Sequence, residues 1–251
     1  NWQDPLWLAT GVASVGLVAA LLYARMEGRG ARPLDGGQAA AAARLPLREL
    51  YAFGRAYWYV VALCVVFYAA VFPFRSFAID YFQQAHGLDR EAAGLLSSLL
   101  PMAAIVATPL FGLWADRSGK RALFMLVGTA VLLPLFLAAT YLPPGPLIGL
   151  PFAGVAVPAT LLAVMLALGV VFSLIPAVMW PAVAYLVEER RLGSAYSLMT
   201  FCQQIGWALV PLAIGALNDG FGAGPKNTAG YAPGMWFYTA LAAVGLWFAW
   251  R

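Results

Sequence analysis

The sequence is poor in charged residues. Only 10% of its 251 residues are Asp, Glu, Lys or Arg, against about 25% in a typical soluble domain. A soluble domain of this length could not cover its surface with so few charges, so this class is excluded. Hydrophobic residues make up 63% of the chain, a composition typical of helices that face lipid on several sides.

Histidine and cysteine are almost absent as well. His86 is the only histidine, and Cys64 and Cys202 lie far apart inside apolar runs. A zinc site needs several such ligands together, so we predict no metal site and no cofactor. The two thiols are expected to pack as small hydrophobic groups. The apolar runs contain no nucleophile with a base and no pair of carboxylates, so we predict that the protein is not an enzyme.

Seven apolar runs are long enough, or nearly so, to cross about 30 Å of hydrocarbon. They do not alternate polar with apolar residues as barrel strands do, so we predict an all-α membrane protein with about seven transmembrane helices. The predicted spans are Leu6–Tyr23, Ala56–Ile79, Ala92–Trp114, Ala122–Tyr141, Val155–Leu186, Gly193–Leu217 and Gly234–Trp250.

The basic residues show a strong asymmetry. Apart from Arg75, Arg90 and Lys226, every Lys and Arg lies in alternate loops or at the end of the chain. Such clusters between apolar runs predict a cytoplasmic face rather than a nucleic-acid surface. Asn1 is then expected outside and Arg251 inside. A start outside the cell, with neither Met nor a signal peptide, leads us to expect a fragment that lacks earlier spans.

Three regions are predicted from these runs. Residues 1–23 form a first helix, 24–55 a cytoplasmic linker, and 56–251 a six-helix bundle. Within the linker, Leu45–Phe53 mixes apolar and charged residues at helical spacing, which favours a short helix on the membrane surface.

The loop after the third span carries the most specific motif. It contains Gly112, Asp116, Arg117, Gly119, Lys120 and Arg121. Gly119 permits a tight turn, the three basic residues hold the loop in the cytoplasm, and Asp116 could accept hydrogen bonds at the N-terminus of another helix. An ordinary basic loop is the alternative. A P-loop is excluded because no Ser or Thr follows Lys120.

This loop, residues 112–121, resembles the signature loop of the major facilitator superfamily, which occurs once in each six-helix half. Its place between the third and fourth spans indicates the C-terminal half of that fold with the preceding helix, and the linker falls where the family joins its halves. The stretches Val65–Phe74 and Trp180–Gly206 further resemble the major facilitator superfamily domain-containing protein 1 group, the lysosomal dipeptide transporters of animals.

The resemblance implies alternating access, a solute bound at mid-membrane, and facilitated movement of dipeptides or related amino-acid-like compounds. The implied partners are the solute, the lipid bilayer and the missing N-terminal half, with no nucleic acid. High Ala, Gly and Arg content favours a bacterial inner membrane, whereas the animal relatives are lysosomal. Two alternatives stay open: a transporter of another organic anion with proton coupling in the missing half, and a non-transporting accessory subunit.

Polar and aromatic residues inside the spans are the candidates for solute contact, because polar groups at this depth usually face a cavity or a partner. Arg75 could bind a carboxylate, or it could reach the outer interface and pair with Asp80. Only one of two adjacent glutamines can face a cavity. The aromatic pair could equally be packing residues. The predicted solute-binding residues are Tyr68, Arg75, Trp180, Gln203 and Gln204.

Overall fold

The computed structural model describes residues 3–30, 53–151 and 154–251. Seven of its helices are long and apolar enough to cross a membrane, which confirms the predicted fold class. The helices are α1 Asp4–Gly30, α2 Arg55–His86, α3 Arg90–Ser118, α4 Arg121–Tyr141, α5 Ala159–Leu186, α6 Leu192–Gly220 and α7 Ala232–Trp250. Short 3-10 helices cover Glu189–Arg191 and Thr228–Tyr231.

The chain divides into two compact units, residues 1–51 and 52–251. The described part of the first unit is α1, whose side chains from Gln3 to Met26 are all exposed. A long apolar helix whose described side chains are all exposed needs an apolar solvent, as a lipid bilayer provides. The predicted boundary at residue 23 is wrong, because α1 continues through residues 24–30 of the predicted linker. Most of the rest of the linker, including almost all of the predicted surface helix Leu45–Phe53, lies outside the described residues.

The second unit is a bundle in which α2 packs against α6 and α7, α3 packs against α5, and α4 packs against α5 and α7. Its centre holds large aromatic side chains, because the apolar runs supply rings on the faces that meet. Phe74, Phe136 and Tyr238 are almost fully buried, and their ring centroids lie 5.3 to 6.0 Å apart. Edge-to-face and stacked contacts at such distances stabilise a core beyond the burial of area alone.

Two glycines lie at close helix contacts. A Cβ at Gly169 in α5 would collide with the Leu100 carbonyl oxygen in α3, and one at Gly206 in α6 would lie 2.9 Å from Val65 in α2. Small residues at such crossings let helix backbones approach.

Helix ends differ from the predicted spans for local reasons. Helix α2 continues seven residues beyond Ile79 to His86, and Gly87, with φ +66°, ends it in the left-handed region. Asp89 then caps α3 by accepting a hydrogen bond from the Ala92 amide at 2.7 Å. Polar residues here extend the helix past the apolar run, because a helix does not need an apolar sequence once it leaves the hydrocarbon.

The start of the fifth predicted span is a correction. Val155–Pro158 forms strand β2, which pairs antiparallel with β1, Leu147–Leu150, and α5 begins only at Ala159. The residue before a proline is disfavoured in the helical region, and valine suits a strand, so the segment before Pro158 favours extended backbone over a helix.

Candidate solute-binding site

Trp180 joins three helices. Its indole Nε1 donates a hydrogen bond of 2.9 Å to the Tyr68 hydroxyl on α2. Its backbone carbonyl accepts one of 3.0 Å from the Tyr196 hydroxyl on α6, and the Trp180 and Tyr196 rings stack at 6.0 Å. The two predicted aromatic candidates are therefore direct partners, and α5 is tied to α2 and α6 at this point.

Prolines on both sides of Trp180 shape this part of α5. Pro176 and Pro181 lie inside the helix. Each lacks an N–H, so the carbonyl four residues earlier loses its usual donor and the helix can bend there. In a membrane such freed carbonyls are tolerated where neighbouring groups or water satisfy them.

A second group of aromatic side chains packs around Phe72, on the side of Tyr68 that is nearer the C-terminal end of α2. Phe72 lies one turn further along and packs against Tyr68 at 5.4 Å, Phe172 at 5.8 Å and Trp207 at 4.6 Å between ring centroids. We call Tyr68, Phe72, Phe172, Trp180, Tyr196 and Trp207 the aromatic cluster. Only Tyr68 and Trp180 of this cluster were predicted from the sequence as site residues; Phe72, Phe172, Tyr196 and Trp207 were not. The spacing of Tyr68 and Phe72 by four residues was the available signal for a shared helix face.

Arg75 lies closer to the middle of its helix than the predicted span suggested. Because α2 runs from Arg55 to His86, Arg75 is about 7 Å along the axis from the helix midpoint at 1.5 Å per residue. Its side chain is exposed. Within the part of the chain that the structure describes, no acidic group pairs with its guanidinium, and Asp80 instead accepts a hydrogen bond of 2.7 Å from Tyr231.

The two adjacent glutamines point in different directions. Gln203 is 8% exposed, and its Oε1 accepts a weak hydrogen bond from the Cys64 thiol at 3.6 Å. Gln204 is exposed. Gln203 therefore belongs to the contact between α2 and α6, and Gln204 is the member of the pair that a solute could reach.

The signature loop, residues 112–121, lies at the end of the bundle opposite the α2–α3 turn. Its residues 112–118 are helical and belong to α3, so only Gly119 and Lys120 connect α3 to α4. Gly119 has φ +67°, and its N–H bonds to the Ala115 carbonyl at 2.9 Å, so it provides the turn that ends α3. Asp116 accepts a hydrogen bond from Arg121 at 2.8 Å, and the Arg121 guanidinium lies 4.3 Å above the Tyr185 ring at the end of α5. Among the described residues, Asp116 meets this arginine rather than a helix N-terminus.

The remaining signature residues face outward. Arg117 and Lys120 are exposed, and Gly112 has open space where a Cβ would lie. A cavity of about 510 Å³ opens beside the loop and is lined in part by Tyr59, Asp116, Arg121, Tyr185 and Phe248. In the next loop at this end, a hydrogen bond from Arg190 at 2.7 Å lowers the pKa of the Glu188 carboxyl.

In residues 3–30, 53–151 and 154–251, no three His, Cys, Asp or Glu side chains come together as a metal site would require. Cys64 and Cys202 are free thiols.

A family model agrees with the helix pattern and the loop. Residues 62–251, which include the second unit from the first turns of α2 onward, match the model of the Major Facilitator Superfamily. The chain belongs to the Major Facilitator Superfamily. It is therefore a multi-pass membrane protein of a transporter family and not an enzyme, as the sequence predicted.

Within this superfamily the chain is similar to proteins named lysosomal dipeptide transporter MFSD1. The human protein is 28% identical over 208 residues, which are 83% of this chain and 42% of the relative. The Gallus gallus protein is 28% identical over 232 residues, 92% of this chain and 47% of the relative, and the Danio rerio protein is 27% identical over 216 residues, 85% and 43%. The chain thus spans less than half the length of the curated relatives it matches.

Proposed function

We propose that this chain forms the C-terminal half of a transporter that moves dipeptides or related amino-acid-like solutes by alternating access, as a facilitator. Membership of the Major Facilitator Superfamily supports transport, and the names of the relatives support the solute class. The relatives are more than twice as long as the matched region, so we propose that a first six-helix half completes the solute path. A bacterial inner membrane is the proposed location.

The observation that carries this proposal is the position of Arg75 inside α2. A guanidinium inside a membrane-spanning helix is costly unless it faces water, a partner or a ligand. Arg75 is exposed beside the aromatic cluster and has no acidic partner in the described structure. It can offer two parallel N–H groups to a carboxylate, which every dipeptide carries at its C-terminus.

The positions of the acidic residues favour solute transport that is not coupled to protons in this half. In the described bundle, every Asp and Glu lies in a loop or within about two turns of a helix end. Proton relays in transporters use carboxylates or histidines deeper in the membrane. A second candidate function is proton-coupled transport of another organic anion, because Arg75 would recognise any carboxylate and a coupling residue could lie outside this chain.

Counterflow in proteoliposomes tests the proposal. The full-length protein is reconstituted, and exchange of a labelled dipeptide is measured with and without a pH gradient. We expect exchange that does not depend on the gradient. Accumulation driven by the gradient supports the second candidate, and absence of exchange by folded protein contradicts dipeptide transport.

Arg75→Ala tests the residue that carries the argument. We expect at least tenfold less dipeptide exchange at unchanged protein levels, because a bidentate charged contact is lost. Arg75→Lys should recover only part of it, since an ammonium cannot form the planar pair. Arg90→Ala, at the exposed start of α3, is the matched control and should exchange normally. Normal exchange by Arg75→Ala would indicate that Arg75 anchors α2 at the membrane interface and does not bind the solute.

A further inference from the structure

A cavity of about 450 Å³ lies between α2, α3 and α5 beside Arg75. It is at mid-depth, because Phe72, Ala104 and Phe172 in its lining are each within two residues of the middle of their helices. Its size lies within the usual range for small-molecule sites. The lining includes Val71, Phe72, Ala104, Ile105, Thr108 and Phe172.

The cavity has one charged group and otherwise a nearly apolar wall. Arg75 is that group, and among the described residues that line the cavity Thr108 is the only other one with a polar side chain. None of these described lining residues is acidic, so none could bind an ammonium group. Its chemistry therefore fits a carboxylate that is joined closely to an apolar group.

The C-terminal residue of a dipeptide has this arrangement. Its side chain and its carboxylate are attached to the same Cα, whereas the side chain of the first residue starts from a Cα about 3.8 Å further away. A carboxylate held by Arg75 would thus place the second side chain nearer to the cavity than the first side chain.

We propose that this cavity is the subsite for the C-terminal side chain of the solute and that it selects large apolar residues there. This inference rests on the proposed dipeptide transport. Burial of a leucine or phenylalanine side chain is favourable, whereas a charged side chain would lose its water without a partner.

Competition measures the selectivity. In proteoliposomes with the full-length protein, counterflow of labelled Ala-Ala is inhibited by two series, Ala-X and X-Ala, where X is Gly, Leu, Phe, Asp or Lys. We expect Ala-Leu and Ala-Phe to inhibit at concentrations at least about tenfold lower than Ala-Gly, Ala-Asp or Ala-Lys. The X-Ala series should vary much less.

Two substitutions alter the cavity in opposite directions. Ala104→Leu fills it and should remove the advantage of Ala-Leu and Ala-Phe while Ala-Gly still competes. Ile105→Ala enlarges it at a side chain that is 73% exposed, so folding should be preserved, and it should favour Ala-Phe further. Ala9→Leu on the exposed surface of α1 is the control for an added leucine.

The outcomes separate this inference from the proposed function. The subsite is overturned if Ala-Ala is exchanged but all Ala-X peptides compete equally well, or if neither variant changes the Ala-X series. Dipeptide transport is left standing in both cases. An Ala-X series that neither variant changes would mean that another part of the protein or lipid covers the cavity. No exchange of any dipeptide overturns both.

Discussion

Single residues in this bundle connect helices that are distant in sequence. Trp180 and Tyr68 are 112 positions apart and share one hydrogen bond. The Tyr68 hydroxyl accepts from the indole in a region where water is scarce, so this bond has little competition from solvent. The contact therefore fixes how α5 meets α2 next to the proposed solute path.

A double-mutant cycle measures this bond. Tyr68→Phe and Trp180→Phe each remove it, and we expect each to lower the free energy of unfolding by about 1 kcal/mol from the hydrogen bond itself. The double variant should lose that amount only once, because both substitutions delete the same interaction. Thermal unfolding in detergent monitors the series. Tyr141→Phe, which removes an exposed bond from Trp236, is the control and should have a smaller effect. Fully additive losses would contradict direct coupling.

At the level of elements, α3 and α5 form the closest packed pair of the bundle. Gly169 allows this contact, because any side chain there would meet the backbone at Leu100 rather than a flexible side chain. The neighbouring wall of the proposed subsite is built from the same two helices, so their separation sets the width of the cavity.

Gly169→Ala should destabilise the bundle by roughly 1–3 kcal/mol, since the added methyl group forces two backbones apart. Gly94→Ala in α3 has no atom within 4 Å of the new Cβ. It should be neutral or stabilise by up to about 1 kcal/mol, because alanine is the better helix former. Melting temperatures of the two variants give the comparison, and equal values would show that the helices separate easily.

The signature loop connects elements at the opposite end from Asp89. Arg121 contacts both the Asp116 carboxylate and the Tyr185 ring, so one side chain links the α3–α4 turn to the end of α5. A loop held in this way can affect how the helix ends on this side of the bundle move during a transport cycle.

Asp116→Asn should lower the turnover number several-fold with little change in KM, because it weakens the pair with Arg121 and leaves the solute site intact. Glu188→Gln removes an exposed carboxylate that accepts from Arg190 at the same end of the bundle. This matched control should transport normally. Equal turnover in both variants and the parent would count against a role for the loop in cycling.

For the whole molecule, the two ends of the bundle have different chemistry. One end gathers Arg121, Arg191 and Arg251, while the other holds hydrogen bonds such as Tyr231 to Asp80. The orientation predicted from the loops, in which the arginine-rich end is cytoplasmic, stays a prediction.

Cysteine labelling tests that orientation. In intact cells that express the full-length protein, an impermeant maleimide should label Lys226→Cys but label Glu189→Cys only after the membrane is opened. Both positions are exposed loop or helix-end sites. The unsubstituted protein controls for Cys64 and Cys202. The reverse pattern would place the arginine-rich end outside.

The sequence alone determined the seven spans, the non-enzymatic family and the signature loop. Each depends on residues close together in the chain: an apolar run long enough for the bilayer, or a motif of ten residues. The sequence also selected Tyr68, Arg75 and Trp180 as candidates, because polar and aromatic groups within spans stand out against an apolar background.

Only the tertiary structure decided which of these residues meet. It buried Gln203 against Cys64 and exposed Gln204, and it added Phe172 and Trp207 to the aromatic cluster. It also showed that Arg75 borders a cavity formed by three helices. These relations depend on the rotation and approach of whole helices, which result from side-chain packing across more than 100 positions of sequence and leave no local pattern.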